Sequence, residues 1–392
     1  MRKLMVEQRK RVEELITSIK EETNGYKLGK PWRHSDKSLT CVVPILKATK
    51  DHEREYITIT EAKNISIIDT GNINEARVKN EEDKPVFLRL GEILAGGTQE
   101  RAVTSSRIVF PGTEITIPIV CIHASKGIQK DAVFHFSGYA PNKDYSYIYN
   151  THNFGEANQQ ESWNLDRTFT SYADSVLGKH GYKITTDWQQ VHGQGGQGGH
   201  SSSSTPSHSP SISSGQIEAW TNDGTTSSPD FTSHIGSGDI YTQNIGYYQV
   251  IDSVVGSNDD LTSKHKEVNE LLEDIIKKVP LFEDQVGLAL IDPDGFKCLD
   301  CYDVKLSYKA IKEALVGKET AAISDTDEEN VFEYKPDVAR KAINKVLDNQ
   351  FEENVVHEDG KAKTITLDLE GYMGEAVLLN NKVIHLVITR KE

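Results

Sequence analysis

Between residues 26 and 136 the chain is a series of short apolar, β-branched runs separated by turn residues. Gly, Pro, Asn and Asp bound these runs. Runs of this length between turn signals are typical of a β-barrel or a β-sandwich. The runs lie at 39–46, 56–60, 65–68, 75–78, 86–90, 107–110 and 114–122. We therefore predict that the N-terminal half is rich in β-strands.

The C-terminal half mixes helical and strand periodicity. Helices are predicted at 261–279, 308–316 and 336–351, and a further strand at 364–369. Two hairpins are predicted at 286–302 and 374–388, the second turning at Asn380 and Asn381. Their sequences, GLALI…FKCL and GEAVL…KVIH, indicate a common structural solution or a faint repeat. The predicted fold class is α+β, with a β-rich, barrel-like or sandwich-like N-terminal half and with helices and two β-hairpins in the C-terminal half.

These patterns divide the chain into four regions. Residues 1–24 form an amphipathic helix that either docks on the body of the protein, which we favour, or mediates formation of a homo-oligomer. Residues 25–182 are the β-rich half, with a helix at 163–177. Residues 183–239 are a Gly/Ser/His-rich insertion that buries too little apolar area to offset its ordering entropy, so we predict that it is flexible. Residues 240–392 are an α+β half that packs on the first.

The formal net charge of −15 restricts the classes of partner. Nucleic acids and anionic membranes both attract surfaces with a surplus of lysine and arginine, so neither is an expected partner. The N-terminal region lacks the apolar core of a signal peptide, and no run approaches the roughly 18 apolar residues of a membrane helix. The four cysteines fit the predicted location, which is the cytoplasm.

The strongest candidate for a functional site is the segment FLRLGEILAGGTQER at 87–101. Here an apolar strand is predicted to run into a Gly-rich turn at Gly96 and Gly97, whose glycines allow close approach of the backbone to a ligand or to another strand. Glu92, Gln99 and Arg101 flank this turn. Such side chains are costly to bury without partners, so the segment is either a buried polar network or a binding site.

Each of these side chain types has a chemistry suited to ligand binding. The guanidinium of Arg101 is a rigid fork for carboxylate or phosphate, and the carboxylate of Glu92 accepts hydrogen bonds from ribose hydroxyls or acts as a general base. Trp163, with Asp166 and Arg167 close behind it, is a candidate to stack on a base or ring. The alternative is a Glu92–Arg101 pair that only fixes the turn to its neighbours.

The other motifs are weaker indications of a functional site. Cys298 and Cys301 match the bare CxxC pattern, but they lie in a predicted strand that turns the two thiols to opposite faces, so a structural role is favoured. Histidines of the insertion, and isolated ones such as His385, lack the spacing of metal ligands, and no metal site is predicted. The Gly-rich segment is neither a Walker loop nor a dinucleotide fingerprint, and no nucleophile, paired acid and base or cofactor motif stands out. Whether the protein is an enzyme is left open.

Two consecutive segments, VFLRLGEILAGGTQER at 86–101 and IVFPGTEITIPIVCI at 108–122, resemble a domain family of unknown function. It is the ADP-ribosylglycohydrolase and rhodanese-phosphatase-associated protein domain family. Weaker matches are GYKLGKP at 25–31, SWNLDR at 162–167, QVGLALI at 285–291 and GEAVLLNNKVIHL at 374–386. The resemblance implies a role near NAD- or ADP-ribose-derived metabolites and supplies no catalytic residues.

Two hypotheses follow. In the first, the protein binds a nucleotide-like or ADP-ribose-like small molecule, which Glu92, Gln99 and Arg101 orient and on which Trp163 stacks. In the second, it is a structural or interaction protein, and the Gly-rich segment is part of its framework. A concave pocket around Arg101 favours the first hypothesis, and full burial of the polar group with a large interface favours the second.

Overall fold

The structure is a computed structural model that describes residues 2–35, 38, 40–48, 54–96, 101–121, 130–139, 277–309, 312 and 336–391. The helix predicted at 163–177, the insertion at 183–239 and most of the helix predicted at 261–279 lie outside the described residues. Within the described part, no helix is long and apolar enough to cross a membrane.

Two helices and seventeen strands have their full bounds within the described residues. The helices are α1 (Arg2–Lys20) and α2 (Pro336–Leu347). Residues 305–309 are also helical, and most of the helix predicted at 308–316 lies outside the described residues. The strands of the first half are β1 (Tyr26–Leu28), β2 (Cys41–Lys47), β3 (Ile57–Thr58), β4 (Ile65–Asp69), β5 (Glu75–Asn80), β6 (Val86–Leu88), β7 (Glu92–Ala95), β8 (Arg101–Val103), β9 (Arg107–Val109), β10 (Glu114–Cys121) and β11 (Val133–Tyr139). Those of the second half are β12 (Gln285–Asp292), β13 (Gly295–Tyr302), β14 (Glu352–Asp359), β15 (Ala362–Leu369), β16 (Tyr372–Leu379) and β17 (Lys382–Arg390).

An eight-stranded antiparallel sheet forms the middle of the molecule, in the order β1-β2-β12-β13-β17-β16-β15-β14. The first two strands of the chain thus join a sheet that otherwise consists of C-terminal strands. The two helices pack on one face of this sheet, where α1 buries Val12, Ile16 and Ile19. The helix predicted near the N-terminus is therefore docked, and its apolar stripe belongs to the core.

Two hairpins of this sheet, β12–β13 and β16–β17, are built alike. Each has a two-residue turn and a bulge three residues after a glycine, Gly287 or Gly374. A Cβ atom on either glycine would meet a carbonyl oxygen of the next strand, that of Asp300 at 2.3 Å or that of Val387 at 2.4 Å. Gly287 and Gly374 are 87 residues apart in the chain, and so are Asp300 and Val387. The resemblance of the two sequences thus corresponds to a shared register, with glycine needed at the same close approach.

The opposite face of the sheet is covered by the remaining strands, which share a second apolar core with it. Six of them close into a barrel in the order β10-β5-β4-β11-β7-β8, and β3, β6 and β9 form a small sheet beside it. Barrel interiors of this size are filled by side chains, here from residues such as Ile67, Val78, Ile117 and Phe134. The predicted α+β class, with a barrel in the N-terminal half and hairpins in the C-terminal half, is confirmed.

Local differences from the predicted elements have identifiable causes. The strand expected at 56–60 is only Ile57–Thr58, because the Glu61 carboxylate accepts hydrogen bonds from the Thr58 amide (2.9 Å) and hydroxyl (2.8 Å) and closes a turn. The helix expected to reach Phe351 ends at Leu347, although Phe351 is buried beyond its end. Glu92 begins a strand of the barrel rather than a turn.

The CxxC cysteines lie on β13 and face opposite sides of the sheet, as predicted from strand alternation. Cys298 belongs to the core on the barrel side, and Cys301 belongs to the core under the helices. Both are buried free thiols, and burial raises the pKa of Cys301 far above its ordinary value. These thiols are therefore inert structural groups.

Candidate functional site

The barrel contains a fully buried arginine. Arg101 begins β8, opposite Leu94 of β7 and Cys121 of β10, and has no exposed surface. Successive residues of a strand face opposite sides, so Arg101 lies on the same face as Val103, which belongs to the barrel core. The guanidinium therefore lies inside the barrel, near one end.

One carboxylate holds this guanidinium. Nη2 of Arg101 lies 3.3 Å from Oδ2 of Asp69, the last residue of β4, and both side chains are almost completely buried. The other carboxylate oxygen of Asp69 accepts a hydrogen bond from the Gly71 amide at 2.7 Å, and Gly71 has a φ of 83° that suits glycine. Asp69 is thus held by its own turn while it faces the arginine.

Two of the three guanidinium nitrogens of Arg101 make no hydrogen bond to the described part of the chain. Within the described residues, neither Nε nor Nη1 of Arg101 has a hydrogen-bond partner. A buried polar group without a partner costs about 1–3 kcal/mol, and a charged one costs more. Since the ion pair to Asp69 is long for a charge-assisted hydrogen bond, the described part of the chain binds the arginine incompletely. The arrangement is suited to oxygen atoms of a carboxylate or a phosphate.

The position of Arg101 places these donors at an end of the barrel. Residues 97–100 lead directly into Arg101, and residues 122–129 follow Cys121, the residue paired with it. Both segments lie outside the described residues, and the first contains Gly97 and Gln99. The predicted partners Trp163, Asp166 and Arg167 also lie outside the described residues.

Gly96 has a structural reason to be glycine. Its φ is 151°, and a Cβ atom there would lie 2.1 Å from the carbonyl oxygen of Val133 on β11. The sequence gives two possible reasons for this glycine, close approach of the backbone to a ligand or to another strand. The described geometry shows close approach to another strand. Gly96 lets the chain leave β7 close against β11 just before the segment that carries Arg101.

Glu92 is buried at the start of β7, with 1% of its surface exposed. It lies two residues before Leu94, the partner of Arg101 on the neighbouring strand, and so on the same strand face as Leu94. The carboxylate paired with Arg101 is nevertheless that of Asp69, which is not among the residues predicted from the sequence. An aspartate before a glycine turn is a common turn residue, so its sequence context carries no signal of this role.

A second fully buried arginine lies outside the barrel, at its junction with the large sheet. Arg89 forms an ion pair with Asp300 of β13, and its Nη1 donates to the carbonyl of Leu90 at 2.8 Å. The other oxygen of Asp300 lies 3.1 Å from Nε2 of His385 on β17. All three side chains are at most 1% exposed. His385 is thus a buried histidine of this structural cluster.

A buried glutamate makes a further connection between the same two layers. Glu375 of β16 accepts hydrogen bonds from the Ser105 hydroxyl at 3.0 Å and from the Ser106 amide at 3.1 Å. Thr364 of β15 donates to the Ser106 carbonyl at 2.8 Å. Burial raises the pKa of Glu375 and lowers that of nearby Arg107 to about 10. These contacts fix the segment after β8 on the sheet.

The comparisons with known proteins concern the half that contains the barrel. Residues 25–171 match the model of a family described as the ARG and Rhodanese-Phosphatase-superfamily-associated Protein domain. Arg101, Asp69 and Glu92 all lie within the matched residues. No curated protein and no solved structure has detectable similarity to the chain. Among the described residues, no group of His, Cys, Asp and Glu is arranged to hold a metal ion.

Proposed function

We propose that the protein binds a small molecule with an anionic oxygen group at Arg101, and that this ligand is of the nucleotide, NAD or ADP-ribose class. The observation that carries the proposal is the fully buried guanidinium of Arg101, with Nε and Nη1 left without protein partners in the described part of the chain. A phosphate or carboxylate would supply the missing acceptors.

The surroundings of Arg101 support a ligand that also carries hydroxyl groups. The carboxylates of Asp69 and Glu92 lie in the same barrel and accept hydrogen bonds from sugar hydroxyls. In this proposal Gln99 adds contacts from the segment before Arg101, Gly97 lets the backbone approach, and Trp163 and Arg167 contribute stacking and charge.

The family match supports the ligand class indirectly. We interpret "ARG" in its description as ADP-ribosylglycohydrolase, an enzyme of ADP-ribose metabolism. A protein associated with such enzymes has reason to bind the same class of metabolite, and we place it in the cytoplasm, where NAD-derived nucleotides are handled. The proposal includes no chemical step, since no nucleophile or acid–base pair is assigned.

Isothermal titration calorimetry with ADP-ribose, NAD, ADP and AMP tests this proposal. We expect at least one of them to bind the wild type, and Arg101→Lys to weaken binding at least tenfold, because lysine keeps a charge beside Asp69 but loses the fork of donors. Arg77→Lys is the matched control, since Arg77 lies on the exposed side of the same barrel. Absence of binding by all four nucleotides, or equal binding by wild type and Arg101→Lys, would leave Arg101 as a framework residue.

A further inference from the structure

A groove of about 430 Å³ lies between α1 and one end of the large sheet. None of the residues that line it belongs to a barrel strand. Arg11, Glu14 and Leu15 of α1 form one wall. Tyr26 and Lys47, which are paired across β1 and β2, and residues of the β16–β17 turn form the rest. The volume is within the range of small-molecule sites, about 300–1,000 Å³.

Lys47 is the most constrained cation of this groove. Its ammonium group donates to the backbone carbonyl of Asp303 at 3.0 Å and lies 4.9 Å from the centre of the Tyr26 ring. These contacts engage one of its three N–H donors with a hydrogen bond. Burial, and secondarily the charge of Lys382, lower the pKa of Lys47, so the protein holds this charge at a cost.

A second lysine converges on the same point. Lys382, which begins β17, lies 2.6 Å from Oδ2 of Asp303 and is half exposed. Asp303 is also engaged elsewhere, because its other oxygen accepts a hydrogen bond from the Tyr56 hydroxyl at 2.8 Å. Both lysines therefore face the groove with donors that this single carboxylate does not use.

The charges around the groove do not balance. Arg11, Lys47 and Lys382 are opposed by Glu14 and Asp303, and Glu14 is shared with Lys10, 3.9 Å away on the same helix. A local excess of positive charge is unusual in a chain whose net charge is −15. Because Leu15, Tyr26 and Val383 also give the groove apolar surface, it is suited to an anion attached to an organic group.

We propose that this groove is a second binding site, for a small oxyanion of the phosphate or carboxylate class, either free or carried on a small organic molecule. Lys47 and Lys382 bind the oxygen atoms, and Leu15 and the Tyr26 ring contact the organic part. The site is independent of Arg101 and of the function proposed for it.

Calorimetric titration of the full chain with inorganic phosphate and with phenyl phosphate tests the site. We expect Lys47→Met and Lys382→Met each to weaken binding at least tenfold. Lys361→Met, which removes the same charge from the exposed turn of the β14–β15 hairpin, should leave binding within twofold of wild type. Circular dichroism melting confirms that each variant is folded, and the exposed position of Lys382 makes its variant the safer one.

The two probes distinguish the sources of the anion. Tighter binding of phenyl phosphate than of inorganic phosphate supports an organic ligand, and equal binding supports the free ion. Unchanged binding in Lys47→Met and Lys382→Met would overturn the proposal. So would an equal loss in Lys361→Met, which would mean unspecific attraction, or a loss in Arg101→Lys alone, which would place the anion in the barrel.

Discussion

Two arginines of the described residues are completely buried, and different contacts hold them. Arg89 pairs with Asp300, which also contacts His385, and this cluster connects the chain before the barrel strand β7 to the large sheet. Arg101 has one long contact with Asp69, and within the described residues its Nε and Nη1 have no partner. Burial is thus the same for both arginines, and within the described residues they differ in their acceptors: Arg89 has Asp300 and the Leu90 carbonyl, whereas Arg101 has Asp69 alone.

The largest effect is expected at the framework arginine. Asp300→Asn keeps the shape of the side chain and removes the charge that opposes Arg89. An unopposed buried charge costs about 3–5 kcal/mol, and urea unfolding should measure this loss of stability. Asp294→Asn, at an exposed turn position of the same hairpin, is the control and should cost less than about 0.5 kcal/mol. A loss at Asp300 as small as that of the control would mean that the cluster does not stabilise the contact between the two layers.

A smaller loss is expected at the glycine before the Arg101 segment. Gly96→Ala would place a Cβ atom 2.1 Å from a backbone oxygen at a φ of 151°, which should destabilise the protein by about 2–4 kcal/mol. Gly112→Ala measures the cost of backbone strain without a steric clash, since Gly112 has a φ of 68° and no atom lies within 4 Å of the added Cβ. Its cost should be about 1–2 kcal/mol. Equal losses in denaturant unfolding would show that the close approach to β11 is not what selects glycine at position 96.

A substitution of Glu375 tests whether the charge of this buried side chain affects the stability of the contact between the two layers. Its pKa is raised in the folded protein, so its contribution to stability is complete below the ordinary value of 4.5 and is lost as the pH rises through the folded value. Glu375→Gln removes this dependence. The variant should therefore gain stability relative to wild type as the pH rises from 4 to 7, by about 1.4 kcal/mol for each unit by which burial raises the pKa of Glu375. Parallel stability curves over this range would contradict a raised pKa.

The smallest effect on stability is expected when the barrel pair is replaced as a unit. Asp69→Asn together with Arg101→Met keeps the acceptor for the Gly71 amide and removes the unused donors. Replacing a buried ion pair in this way is often neutral, so the stability without ligand should stay within about 1 kcal/mol of wild type. A loss of 3 kcal/mol or more in urea unfolding would make Arg101 a framework residue like Arg89.

Strand alternation and turn residues were sufficient to predict most of the fold. Barrel strands β4, β5 and β10, the turn at Asn380 and Asn381, and the docked helix α1 follow from local periodicity. Barrel strands β7, β8 and β11 are missing from the predicted runs. Strand β14 (Glu352–Asp359) is missing from the predictions because it is an edge strand with charged ends and a mixed burial pattern. Its sequence, EENVVHED, lacks the alternation of a strand with one buried face.

The candidate site was predictable only in part. Arg101 and Glu92 stand out because strong polar groups beside glycines are costly to bury without partners. Their surroundings depend on distant residues, since Asp69 lies 32 residues before Arg101 and Asp300 lies 211 residues after Arg89. Periodicity within one sequence carries no information about which distant carboxylate meets which arginine. The predicted residues Gly97, Gln99, Trp163 and Arg167 remain predictions.

The Nε–H resonances of Arg101 and Arg89 in a ¹⁵N-labelled protein give the most direct comparison of the two arginines. They are assigned by Arg101→Lys and Arg89→Lys and followed during titration with ADP-ribose. We expect the Arg101 signal to shift in proportion to ligand binding and the Arg89 signal to stay within its line width, because Arg89 is held at the junction of the two layers by Asp300 and the Leu90 carbonyl. An Arg101 signal that stays unchanged at saturating ADP-ribose, NAD, ADP and AMP would contradict the binding role of the barrel.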